Sequence, residues 1–218
     1  MQMIITDVTE SAAGRIDVAG WNPEQSRMVR LHAVGKDWTV AMLREHKIAS
    51  GQTVTFDGAV ETEVQGMIEA EVPLAALRPQ DGKVQNWFAP PAPPLHSTLK
   101  LAYGAPIGYN KSLRGLRQSI FVAGDAVANE LCGIEIHSQL VRFIEESGKL
   151  KLVLQDDDDL YQLAVASLRL KAHARKSGLA ALNAQFITPR MLHVRLGLAA
   201  PASDQNNKRF CQVNDIYG

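Results

Sequence analysis

Short runs in which apolar and polar residues alternate, each cut off by a glycine, proline or acidic turn, recur along almost the whole chain. Side chains of an extended strand point to opposite faces in turn, so this period of two is the signature of strands with one buried face. The strongest run is Leu192 to Leu198, with Leu192, Val194, Leu196 and Leu198 inward and His193 and Arg195 outward. Lys149 to Val165 reads as a hairpin: Leu150, Leu152 and Leu154 share a face, and Tyr161, Leu163 and Val165 share a face of the returning arm. The acidic run Asp156 to Asp159 sits between the arms. Near the start, Met3–Val8, Arg15–Trp21 and Met28–Val34 form a meander punctuated by Ser11–Gly14 and Asn22–Ser26.

The strap W-F-A-P-P-A-P-P, Trp87 to Pro94, divides these runs into two groups. Such a composition favours a semi-rigid, polyproline-like spacer. In the first group a helical segment, Asp37 to Ile48, ends at Ser50-Gly51 and is followed by strands Thr53–Phe56 and Val64–Val72. Five strands with one helix after the third match the size and strand count of an OB-fold barrel. In the second group, strands are expected at Leu116–Val122, Glu135–Phe143 and Phe210–Tyr217. Two short helices are expected at Ser167–His173 and Gly178–Phe186, with Ser167 as an N-cap, and Pro201–Asn207 is a loop. The expected fold class is mainly β with a few short helices: two OB-like small β-barrels joined by a proline-rich linker. The first spans 1–86, the linker 87–99 and the second 100–218.

Net charge over the 218 residues is zero, so whole-chain electrostatics favour neither nucleic acid nor membrane. The halves differ: residues 1–90 carry a net −4 and residues 91–218 a net +4. The two cysteines, Cys132 and Cys211, have no zinc or redox spacing, and the N-terminus lacks the pattern of a secretory leader. No apolar run is long enough to span a membrane as a helix. A reduced, cytoplasmic setting is therefore expected.

Candidate chemistry is sparse. Asp156 to Asp159 offers oxygen ligands, but an exposed hairpin tip explains the run through solubility alone, and no metal or other cofactor is expected. Cys132 and His137 are compatible with a nucleophile and base, yet no motif supplies an oxyanion hole, so no catalytic residue is assigned. No phosphate-binding glycine loop is present. What remains is basic: Lys111, Arg114 and Arg117 at a spacing of three, then Arg142, Lys149 and Lys151, then Arg195, Lys208 and Arg209. On one barrel face these nine would track a phosphate backbone, with Tyr103, Tyr109, Phe121, Phe143 and Tyr161 as stacking rings. The competing reading is a set of solvated strand faces, or cations that meet the acidic first half. Trp21, Trp38 and Trp87 are expected to pack the first barrel and pin the strap.

Several segments resemble the dual OB-domain proteins of bacteria. These are I-I-T-D-V-T-E at Ile4 with G-R-I-D-V-A-G at Gly14, S-L-R-G-L-R-Q-S at Ser112, and L-V-R-F-I-E-E-S-G-K-L-K-L at Leu140. L-H-V-R-L-G-L-A at Leu192 and C-Q-V-N-D-I-Y at Cys211 complete the set. The resemblance implies two OB-like barrels, no catalytic residues and a non-enzymatic role in nucleic-acid recognition, as an accessory subunit of a bacterial defence or CRISPR-type complex. Single-stranded nucleic acid, or a nucleic-acid end, and a larger protein complex are the expected partners, with no membrane. The alternative is a protein-interaction adaptor that binds no nucleic acid itself.

Overall fold

The computed structural model describes residues 1–11, 14–34, 38–57, 60–64, 67–80, 95–123, 126–157, 159–199 and 207–218. The strap at 87–94 and most of the loop at 201–207 lie outside them. The fold is mainly β with few short helices, built on curled sheets that form OB-like half-barrels. The chain divides into two compact units, Met1–Pro93 and Pro94–Gly218.

In the first unit, β1 (Gln2–Glu10), β2 (Ile16–Asn22) and β3 (Arg27–Ala33) are the antiparallel meander that the alternation predicts. Helix α1 (Val40–Glu45) begins at Thr39, whose hydroxyl accepts the Met42 N–H, a shorter helix than the sequence pattern suggests. It is followed by β4 (Thr53–Thr55), β5 (Val60–Val64), β6 (Met67–Val72) and the two-residue β7 (Arg78–Pro79). The expected single strand Val64–Val72 is thus two strands, β5 pairing antiparallel with β6 from Val64 opposite Met67. The sheet order is β5-β6-β3-β2-β1-β4-β7. Val18, Val29, Leu31, Val54 and Val72 are fully buried, and Trp21 and Trp38 join them in the interior. Trp87 lies outside the described residues.

The second unit opens with α2 (Leu99–Tyr103), capped by the Thr98 hydroxyl. Eight strands follow: β8 (Gly108–Leu113), β9 (Leu116–Ala123), β10 (Cys132–His137), β11 (Val141–Glu146), β12 (Lys149–Asp156), β13 (Asp159–Val165), β14 (Met191–Leu198) and β15 (Lys208–Tyr217). Their order is β10-β14-β15-β9-β13-β12-β11, with β8 on β9. The expected strand Glu135–Phe143 is broken by a 3-10 turn at Ser138–Leu140, which separates β10 from β11. Strand β8, which the sequence pattern did not mark, is a hairpin partner of β9. Its two-residue turn, Arg114-Gly115, has positive φ at both positions (51° and 83°), the geometry that matches strand twist.

Between β13 and β14 runs α3 (Leu168–Ala184), and its interior breaks at Gly178 with φ 85° and ψ 161°. A side chain at those angles is strongly disfavoured, which makes Ser177-Gly178 the break that the sequence marks. Ser167 caps the helix by accepting the Leu170 N–H. Leu170, Leu182 and Phe186 enter the core. Asn183 closes the free edge of β11: its Oδ1 accepts the Phe143 N–H at 2.8 Å and its Nδ2 donates to the Phe143 carbonyl at 3.0 Å.

Candidate nucleic-acid interface

The core of the second unit takes one face of its strands: Phe143 from β11, Leu152 and Leu154 from β12, Leu163 from β13, Ile120 and Val122 from β9, and Val213 from β15. Alternation then fixes what the outer face carries, except in β9, where Ser119 at φ 53° interrupts it and lets Gln118 and Phe121 share the outer face. Register pairs run across it without a gap. Lys111 of β8 stands opposite Gln118 of β9, which lies beside Gln162 of β13. Gln162 stands opposite Val153 of β12, and Val153 opposite Arg142 of β11. Lys151 lies between Ala164 and Ile144, and Lys149 opposite Glu146. On β15, Lys208 and Phe210 stand opposite Ala123 and Phe121.

Polar side chains on this face are tied into a row. Gln118 donates to Gln162 at 3.1 Å, and Gln162 donates to Glu146 at 2.8 Å. Phe121 and Phe210 form an edge-to-face pair with centroids 6.2 Å apart. The Lys208 ammonium sits 4.2 Å from the Phe121 centroid and donates to Asn110 at 3.1 Å. The face therefore presents five cations and an aromatic pair beside the Gln118–Gln162–Glu146 row, in which Gln162 is buried. From β8 to β11 it crosses four strand spacings, about 19 Å.

Of the nine cations marked in the sequence, the register brings together five: Lys111, Arg142, Lys149, Lys151 and Lys208. Arg114 is exposed at the tip of the β8–β9 turn. Among the described residues, none of Lys111, Arg114, Arg142, Lys149 and Lys151 is in an ion pair. Arg117, opposite Tyr161 in register, belongs to the other face. There it pairs with Asp159 at 2.5 Å and stacks between the Tyr109 and Tyr161 rings, 5.0 and 5.7 Å from their centroids. Arg209 is mostly buried and paired with Glu130.

Arg195 corrects the expectation outright, for it is 0 % exposed instead of pointing to solvent. It stands opposite Gly133 on β10 and Asp215 on β15. A Cβ on Gly133 would lie 2.8 Å from the Arg195 guanidinium, so the glycine makes room for it. The buried Asp215 carboxylate also accepts from Ser167 at 3.2 Å and from Arg169 at 2.7 Å, tying the start of α3 to β15.

The expected stacking rings need a second correction. Tyr103, Phe143 and Tyr161 are buried. The Tyr103 hydroxyl donates to the Gly197 carbonyl at 2.9 Å, and burial with the nearby Asp159 pushes the Tyr161 phenol up to about 12. Phe121 is on the outer face, joined by Phe210, which the sequence reading passed over although it alternates with Lys208 and Gln212.

Other reactive groups are committed elsewhere. Asp156, expected to be exposed, is buried, and its Oδ2 accepts the Leu99 N–H of α2 at 2.7 Å; burial raises its carboxyl. Asp159 takes Arg117 and the Tyr161 hydroxyl, and Asp158 lies outside the described residues. Among the described residues no three His, Cys, Asp or Glu side chains converge as a metal site. Cys132 and Cys211 are buried; burial pushes the Cys211 thiol up to about 12 and the Cys132 thiol higher still. Cys132 and His137 are an odd number of residues apart on β10, so they point to opposite faces and form no dyad.

In the first unit, His32 Nδ1 lies 2.7 Å from Asp17, and Nε2 lies 3.7 Å from Glu69, which Arg30 also meets at 2.9 Å. The bond to Asp17, then the contact with Glu69, push His32 up to about 9. Contact with His32, then the Arg30 charge, holds Glu69 down at about 2. An imidazolium so held is no general base at neutral pH.

No protein-family model matches the chain, and no curated protein matches it. Among solved structures, it aligns with a murine DNA-binding protein bound to double-stranded DNA at 8% identity and TM-score 0.35, covering 100% of this chain and 92% of that one. It aligns with a HINb domain at 13% identity and TM-score 0.36, covering 98% and 95%. A tetrameric HIN2 domain aligns at 10% identity and TM-score 0.33, covering 100% and 89%.

Proposed function

We propose that the protein is a non-catalytic binder of single-stranded nucleic acid, and that the outer face of the second unit's sheet is its contact surface. One observation carries this: Lys111, Arg142, Lys149, Lys151 and Lys208 share that face with the Phe121–Phe210 pair. Cations spread over about 19 Å follow a phosphate backbone, and rings between them give bases a surface on which to stack. Gln118, half-buried at the head of that row, offers an amide hydrogen to base edges without selecting a sequence. The finer reading, an accessory subunit of a bacterial defence or CRISPR-type complex in the cytoplasm, is likewise a proposal and rests on nothing more than the resemblance of sequence segments to dual OB-domain proteins.

A second reading, a protein-interaction adaptor, is favoured by a different surface. Ile187, Met191 and Leu140 are 72%, 45% and 40% exposed. They flank segments that Ser138 joins through its bonds with Thr188 and Arg190.

Fluorescence anisotropy of labelled single-stranded DNA, single-stranded RNA and duplex separates the readings. The nucleic-acid reading expects single-strand binding whose log K falls with log salt at about 0.7 per phosphate contact. Lys111→Glu, Arg142→Glu and Lys151→Glu together should weaken it at least tenfold, about 1.4 kcal/mol. Absence of binding at low salt refutes it and leaves the adaptor.

A further inference from the structure

Residues 160–203 contain six Lys and Arg and no Asp or Glu. Of the six, Arg195 is buried and Arg169 is held by Asp215. Three more, Lys171, Arg175 and Lys176, lie on the first half of α3. Arg175 and Lys176 are exposed, and among the described residues neither meets a carboxylate. Lys171 and Arg175 are four apart, a like-charge spacing that costs a few tenths of a kcal/mol in a helix. No acidic residue stands three or four positions from either in the sequence.

The break at Gly178 folds the two halves of α3 toward each other. His173 and Gln185 side chains lie 3.4 Å apart, although twelve residues of straight helix would separate them by about 18 Å. Arg190 donates to the Gln185 carbonyl at 2.8 Å and so reaches the same corner. The apolar side of this hairpin is spent on the core through Leu170 and Leu182, with Ala174 and Leu179 against it. Its cations are what remains outside.

The second half of α3 is docked on the outer strand of the candidate interface. Asn183 holds the backbone of Phe143, the residue next to Arg142 on β11. A strand crossing the sheet from Lys111 to Arg142 therefore leaves it at the edge that α3 covers. We infer that the helical hairpin of α3, through Arg175, Lys176 and Arg190, is a second phosphate-contact surface that extends the single-strand path beyond the β11 edge. This rests on the nucleic-acid reading above. It makes the footprint longer than the sheet alone accommodates, and it assigns the hairpin electrostatic contacts without base readout.

The test pairs oligonucleotide length with two variants of the whole chain. Anisotropy is measured with single strands of about 6 and about 20 nucleotides, the first within and the second beyond the roughly 4–16 nucleotides that one OB barrel covers. Arg175→Glu with Lys176→Glu should weaken binding of the longer strand about tenfold or more. It should also flatten the salt slope by about 1.4, at about 0.7 per lost contact, and leave the shorter strand unchanged. Arg175→Gln with Lys176→Gln should give the same pattern at smaller size, and an unchanged circular dichroism melt confirms that both variants fold. The inference alone is overturned if the parent binds both lengths and the α3 variants match it in affinity and slope. If the parent binds neither length, the nucleic-acid reading falls and this inference with it.

Discussion

His32 keeps its proton between two carboxylates, and the consequence has a definite sign. Its folded pKa, about 9, is above its ordinary value of 6.5, so its contribution is complete below 6.5 and is lost as pH rises through 9. Glu69 is the opposite case: held at about 2, it contributes fully above 4.5 and loses that contribution as pH falls toward 2. Thermal melts of the parent and His32→Gln should therefore differ most between pH 4.5 and 6.5, by about 2 kcal/mol, and converge above pH 9. A gap that persists at pH 10 would mean that His32 acts by packing. Arg195 shows where residue-scale reading fails. Its neighbours alternate as an amphipathic strand should, and a charge between leucines reads as solvent-facing. The features that bury it, Gly133 across the ladder and Asp215 on the last strand, are distant in sequence and visible only once β10, β14 and β15 are side by side.

At the scale of elements, the edge of β11 depends on one side chain. Asn183 pairs with both backbone groups of Phe143, much as a neighbouring strand would. Asn183→Leu leaves that N–H and carbonyl without their partner and should cost about 1–3 kcal/mol. Hydrogen exchange reads this locally: the Phe143 amide should lose protection while amides in β14 keep theirs. Elements were legible where a periodic pattern met a turn residue. Strand β14, the β12–β13 hairpin and the break at Gly178 follow from leucine alternation and from the one residue that tolerates the required angles. Strand β8 was not legible, because most of its side chains are exposed and it has no apolar face to announce itself. The candidate interface was half legible. Its cations were marked, but choosing five of nine required the register, and Phe210 required seeing β15 beside β9.

For the whole molecule, the separation into Met1–Pro93 and Pro94–Gly218 gives each unit its own sheet and its own interior. All three tryptophans, at 21, 38 and 87, fall in the first, and both cysteines, at 132 and 211, in the second. Burial keeps both thiols protonated, so they meet an alkylating reagent only when the second unit opens. In a urea titration, indole fluorescence should follow one transition and thiol alkylation another; coincident midpoints would mean that the units unfold together. The natural chain thus carries its indoles in the sequence of one unit and its thiols in the other. A ligand that protects the thiols while leaving the indole emission unmoved would name the unit it occupies before any label is attached.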